Sequence, residues 1–170
     1  MVLDTEQGGE KMTGYLIVFL ISMLPMVELR GAIPYSQIIG LPLLPSYLVA
    51  ILGNLLPVPF IYFFAQKILY WGKNKPYSGK FFTWCIKKGH SNEDKILKKN
   101  RKAIFLVLVL FVGIPIPGTG AWTGTLAASF LDLDFKWTLL SVFAGILLAG
   151  IIMALGTSGV FMTLRMLFGV

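Results

Sequence analysis

Apolar residues fill the chain from Met12 to Gln66, and Glu28 and Arg30 are the only charges among them. A second uncharged stretch covers 103–131, and a third runs from Trp137 to Leu155. These stretches are apolar on all sides rather than along one stripe, which suits helices surrounded by lipid or buried in a bundle. Their interruptions set the architecture. From Met12 to Val27 there is room for about 24 Å of helix, against the roughly 30 Å needed to cross a bilayer. The following run, 31–44, is shorter and carries Pro34 and Pro42. Two half-length helices around a polar tip make a re-entrant hairpin, so 12–44 is predicted to enter and leave by one face. Residues 46–71 are long enough for one spanning helix, kinked at Pro57 and Pro59, which also free backbone carbonyls. Tyr62, Tyr70, Trp71 and Lys67 suit an interfacial belt at its far end. In 103–131 the stretch Gly113-Ile114-Pro115-Ile116-Pro117-Gly118-Thr119-Gly120 leaves about a dozen residues on each side, roughly 18 Å of helix. That is a second broken hairpin. A further crossing follows at 135–156, with Gly145, Gly150 and Gly156 open to close packing, and then a short C-terminal helix at 158–170.

The order hairpin, crossing, hairpin, crossing repeats itself. One crossing separates the hairpins, so they must open to opposite faces. The expected fold is an all-α integral membrane protein, a single transmembrane domain over 1–170. It is an inverted-topology repeat with two opposed re-entrant hairpins and two to three spanning helices. Pairing Gly31-Ala32 with Gly120-Ala121 overlays the two crossings and sets Tyr47 opposite Lys136. Residues 1–11, polar and acidic, read as a short tail with no signal-peptide pattern.

Composition agrees with this and locates the charge. Of 170 residues, 56% are hydrophobic and only 14% charged, with a mean hydropathy of +0.76; a soluble domain carries about 25% charged residues. The net charge of +7 resembles a nucleic-acid signature until its position is read. Most of the basic residues lie between Lys73 and Lys102, opposed only by Glu93 and Asp94. Such a loop, 72–102, is expected on the cytoplasmic side beside anionic lipid, so nucleic acid is not an expected partner. Within it, Phe81, Phe82, Trp84 and Ile86 among lysines suit an interfacial helix. The single Cys85 excludes an internal disulfide, and the single His90 leaves no set of ligands for zinc or haem. Neither a metal nor a cofactor is expected.

The chemistry gathers at the two tips. A charge at membrane depth costs on the order of 3 kcal/mol and usually faces a polar cavity or a partner. In each hairpin the second half-helix starts at the tip, aiming its positive end and free N–H groups at the midplane. Gly118, Thr119 and Gly120 can bring amides and a hydroxyl to an anion, with Pro115 and Pro117 shaping the turn. Arg30, followed by Gly31 and Pro34, adds a full positive charge. The expected ligand is therefore an anionic head group. Glu28 is expected near the negative C-terminal end of the first half-helix, with Arg30 opposing, a balance that suits proton exchange. Trp122 lines the cavity or faces lipid, and Asn54 either meets substrate or satisfies a carbonyl freed by proline. Structural readings stand beside these: Glu28 and Arg30 as an ion pair bracing the tip, and the Pro-Gly-Thr-Gly turn as a simple turn. Gly156-Thr157-Ser158-Gly159 matches the Gly-x-Ser-Gly of rhomboid proteases, but that chemistry needs a membrane histidine. The only histidine lies in the basic loop, so no enzyme is expected.

Glu28-Leu29-Arg30-Gly31-Ala32-Ile33-Pro34 and Pro115-Ile116-Pro117-Gly118-Thr119-Gly120-Ala121-Trp122-Thr123-Gly124 resemble the two signature stretches of the small multidrug export protein family of bacteria and archaea. The resemblance covers most of 13–157, and that family is similar, distantly, to the DedA/VTT superfamily of lipid transporters and scramblases. It implies paired re-entrant hairpins in a prokaryotic plasma membrane and proton-linked movement of lipids or lipid-linked phosphates. Glu28 would match the membrane-embedded acid of DedA proteins. Those proteins also carry arginines around the second-hairpin proline, where this chain has Val112, Gly113 and Thr119. The expected function is a small DedA-like secondary transporter or flippase, proton-coupled, for an amphiphile with an anionic head. Alternatives are an exporter of cationic amphiphiles with Glu28 as counter-charge, and a non-transporting scaffold or scramblase. Expected partners are membrane lipids, protons and a small amphiphilic substrate. So few helices around such a path also leave room for a homo-oligomer.

Overall fold

The computed structural model describes residues 2–73, 98–116 and 118–168, and these are helical throughout apart from short connections. The predicted interfacial helix, Cys85, His90 and most of the basic loop lie outside the described residues. The described residues form seven helices, in order α1 Val2–Met23, α2 Glu28–Ile38, α3 Leu43–Leu55, α4 Pro57–Lys73, α5 Lys98–Gly113, α6 Ala121–Phe130 and α7 Phe135–Phe168. Among the described residues two stretches are long and apolar enough to cross a membrane: Leu43–Ile68, of 26 residues, and Phe135–Gly159, of 25. By contrast α2 has 11 residues and α6 has 10, about 15 Å each, half of a crossing. Leucines 44, 48, 52 and 56 recur along one exposed face, with Phe60, Phe63 and Phe64 exposed beyond them. In a protein of this composition such a surface faces lipid.

Several elements differ from expectation. The tail before Met12 is helical, as the start of α1, because nothing between Val2 and Met23 breaks the chain. The first break comes at Leu24-Pro25, so Glu28 opens α2 and does not close the preceding half-helix. Pro57 does more than kink the first crossing: Leu56 separates α3 from α4, since proline offers no N–H and crowds the preceding turn. The second crossing runs on unbroken through Gly156-Thr157-Ser158-Gly159 and takes in the predicted C-terminal helix. Tyr62, expected at an interface, is buried at 3% exposure, its hydroxyl bonded to the Leu133 carbonyl.

In each half the first two helices pack on the one that follows them. α1 and α2 lie against α3, and α5 and α6 against α7. Glycines permit the close approach. A Cβ on Gly53 would stand 2.5 Å from the Phe19 carbonyl oxygen of α1 and 2.0 Å from Ser22 Oγ; one on Gly145 would stand 3.0 Å from the Val109 oxygen of α5 and 2.6 Å from Val112 Cβ. The short helices also end alike. Gly40 (φ 73°) and Asp132 (φ 52°) are left-handed. Gly40 N–H donates to Gln37 and Leu41 N–H to Ser36, while Asp132 N–H donates to Ser129 and Leu133 N–H to Ala128. This double closure satisfies the last carbonyls of a helix. The correspondence pairs Gly40 with Asp132 and Gly53 with Gly145, a register different from the Gly31–Gly120 pairing read from the sequence. The second tip is simply longer, at 114–120 against 24–27. Across the halves α2 packs on α7 and α6 on α4, enclosing a core of Leu29, Ile33, Val58, Val112, Val142 and Ile146.

Candidate functional site: the meeting of the two tips

The first tip is a tight four-residue turn held by Glu28 N–H to the Leu24 carbonyl (3.1 Å) and Gly31 N–H to the Val27 carbonyl (3.1 Å). Met26 and Glu28 are both left-handed, at φ 70° and 53°, a conformation costing an L-residue about 1–2 kcal/mol. Gly31 packs against Val27, and a Cβ there would fall 2.5 Å from Val27 Cγ1, so the valine side chain would have to shift. Turning the chain this sharply throws Glu28 and Arg30 across to the second tip.

Glu28 is buried, at 3% exposure, and its carboxylate rests on the N-terminus of α6. Trp122 N–H donates to Oε1 (3.1 Å) and Ala121 N–H to Oε2 (3.3 Å). A helix start offers unsatisfied N–H groups and partial positive charge, so a carboxylate is its natural partner. Gly120 makes room for it. A Cβ there would lie 2.3 Å from Oε2 and 2.6 Å from Oε1, and the backbone, at φ 146°, is one that L side chains rarely adopt.

Arg30 takes the opposite end of the same break. Its Nη1 donates to the Ile116 carbonyl (2.6 Å), and its Nη2 to the carbonyls of Val112 (3.2 Å) and Ile114 (3.0 Å) and to Thr119 Oγ1 (3.1 Å). The Val112 and Ile114 carbonyls lie at the end of α5, where a cation is favoured, the Ile116 carbonyl lies in the loop just beyond, and the guanidinium fork suits several acceptors at once. The Thr119 hydroxyl turns its own proton to the Ile114 and Ile116 carbonyls, at 2.9 and 2.8 Å. So the acid holds the positive end of one half-helix and the base holds the negative end of the other. Among the described residues they form no contact ion pair with each other.

Of the residues singled out in the sequence, Glu28, Arg30, Gly31, Thr119, Gly120 and Trp122 come together here. Trp122 neither simply lines a cavity nor simply faces lipid: half-buried, it gives its indole N–H to the Met23 carbonyl at the end of α1 (3.2 Å). Gly118 (φ 86°) supplies a turn in open space. Pro115 shapes the same loop, and Pro117 is outside the described residues. Pro34 lies inside α2, past the contact. Asn54 takes no part in it: the amide is fully buried on α3, and neither Oδ1 nor Nδ2 has a partner. Sequence reasoning expected free amides at the start of the second half-helix without naming Ala121, and it missed the Met23, Val112, Ile114 and Ile116 carbonyls. Their signal was present only as the ends of half-length helices.

No group of histidine, cysteine or acid that would hold a metal ion occurs among the described residues. No curated protein and no solved structure shows a significant match to the chain. Residues 28–152, from Glu28 in the first tip through most of the second crossing, match the family model described as "Putative small multi-drug export protein". The chain is a membrane protein of that family.

Proposed function

We propose that this protein is a small secondary exporter of amphiphiles that works by parting and rejoining two re-entrant tips near the membrane midplane. The observation that carries the reading is the Glu28 carboxylate seated on the Ala121 and Trp122 amides. That seat is built for an oxyanion. When the tips part, it and Arg30 become receptors for an anionic head group, a carboxylate or a lipid phosphate, while the tail stays in lipid. Glu28 then takes up a proton for the return, which couples transport to the proton gradient. The exchanged packing of α2 on α7 and α6 on α4 supports an inverted repeat, in which one set of contacts opens to each face in turn. The basic loop 72–102 belongs on the cytoplasmic side and the first hairpin opens outward. Labelling of cysteines at positions 12 and 44 from the outer side alone would agree; labelling from opposite sides would sink the repeat.

A second reading, export of cationic drugs with Glu28 as counter-charge, is favoured by the family's name. Proteoliposomes loaded with a pH-sensitive dye separate the two readings. Anionic amphiphiles and lipid phosphates should drive proton movement that Glu28→Gln abolishes, with insertion intact. Movement driven by cationic amphiphiles alone selects the second reading, and unchanged transport by Glu28→Gln across the pH range removes Glu28 from coupling.

A further inference from the structure

The break between α3 and α4 has chemistry that the tips do not use. Asn54 is 0% exposed, and both polar atoms of its amide lack a partner. Burying an amide unpaired costs roughly 1–3 kcal/mol, so a side chain of this kind signals an occupant. The backbone around it is short of donors. Pro57 and Pro59 have no N–H, which deprives the Gly53 and Leu55 carbonyls of their helical donors four residues on.

The packing fixes where this lies. Gly53 presses α3 onto the last turns of α1, beside the Phe19 carbonyl and Ser22 Oγ, so Asn54 is level with the end of α1 and the first tip. On the other side Tyr47 donates to the Leu147 carbonyl (3.0 Å) and lies against Gly150. Tyr62 meets the ring of Phe135 at 5.1 Å. The first crossing and α7 are therefore antiparallel. Asn54, midway between Tyr47 and Tyr62, falls level with the Ser141–Val142 turn. Ser141 is buried and gives its proton to the Trp137 carbonyl (2.7 Å), so any further contact of its hydroxyl is as an acceptor.

We propose that the α3–α4 break is a binding site for a monovalent alkali cation of the sodium class, with Asn54 Oδ1 and the proline-freed carbonyls as its ligands. The oxygens named at the break, those of Asn54, Ser141 and the two carbonyls, are neutral, and the nearest acid in the chain, Glu28 of the first tip, is held by the Ala121 and Trp122 amides. Divalent ions recruit carboxylates, whereas a singly charged ion suits carbonyl and amide oxygens at the negative end of a broken helix. In the exporter proposed above, which this inference extends, the ion is a second coupling ion at the same depth as the tips.

The test uses the purified full-length chain in detergent, unfolded thermally in sodium, potassium or choline chloride at equal ionic strength. Sodium should raise the midpoint by roughly 5 °C at saturation relative to choline. Asn54→Leu should lose that rise while staying at least as stable as the parent in choline, because it removes an unpaired polar group. Pro57→Ala, which returns a donor to the Gly53 carbonyl, should weaken the sodium response. Equal midpoints in sodium and choline overturn the site, as does a sodium rise that survives Asn54→Leu. Loss of stability in Asn54→Leu without any sodium response assigns the amide to a buried water and overturns it too. Glu28→Gln is the control. It should keep the sodium rise while losing proton-coupled transport, and a parent protein that itself moves no amphiphile but keeps an Asn54-dependent sodium rise refutes the exporter reading and leaves the ion site standing.

Discussion

The two tips solve one problem in opposite ways. The first is a four-residue turn that bends through two non-glycine residues, Met26 and Glu28, in left-handed conformation. Its own backbone closes it, and it carries both charges. The second is a longer loop with left-handed glycines at 118 and 120 and no charge at all. Backbone carbonyls and amides face the gap it leaves. The first supplies ions on a rigid mount, and the second supplies helix ends. The lesson is that an acid and a base in a largely apolar chain need not pair by direct contact. Two helix ends of opposite polarity receive an acid and a base separately, and each charge meets hydrogen-bond partners rather than hydrocarbon.

The comparison breaks most readily at Gly120. Gly120→Ala puts a methyl where the carboxylate of Glu28 lies and forces an unfavourable φ. Unfolding free energy should fall by about 3–5 kcal/mol, the scale for stranding a buried charge, measured by thermal or denaturant unfolding in detergent. Gly118→Ala meets only open space, so it should cost no more than the roughly 1–2 kcal/mol of a left-handed residue. Equal losses at the two glycines would show that the seat for Glu28 is unimportant.

Arg30→Lys tests the other helix end. A lysine keeps the charge but lacks the fork that spans the Val112, Ile114 and Ile116 carbonyls, and a loss of about 2 kcal/mol is expected. A silent Arg30→Lys would mean that charge alone suffices. Because Glu28 and Arg30 hold different ends of the break, Glu28→Gln with Arg30→Gln should not restore what either loses. Their coupling in a double-mutant cycle should stay below about 1 kcal/mol. Recovery of stability in the double variant would restore the simple ion pair.

The smallest effects sharpen the comparison. Trp122→Phe loses one hydrogen bond, to the Met23 carbonyl, and should cost about 1 kcal/mol. At the far ends of the short helices, Gly40→Ala should cost a similar amount from backbone strain alone, since its surroundings are open. Asp132→Gly should not mirror it by gaining stability, because Asp132 also accepts a hydrogen bond from Gln66 at 2.9 Å.

By itself the sequence determined that this is a helical membrane protein, because a chain so poor in charge cannot cover itself with polar surface. It placed the two tips near Pro25 and Pro115, where proline withholds a donor, but it read Pro57 only as a kink and ended the second crossing too early. It singled out Glu28 and Arg30 as charges in an apolar run, Gly118, Thr119 and Gly120 as a turn that brings amides and a hydroxyl to an anion, and Trp122 as a residue lining a cavity or facing lipid. What it left undecided was direction. Glu28 lies two residues from Arg30, and adjacency suggested a pair; a tight left-handed turn instead aimed each at a different helix end in the other half of the chain. The carbonyls of Val112, Ile114 and Ile116 and the amides of Ala121 and Trp122 belong to every sequence alike. Only the tertiary structure could make them partners, because a backbone group becomes a site when a helix ends there and another segment is brought within 3 Å or so of it.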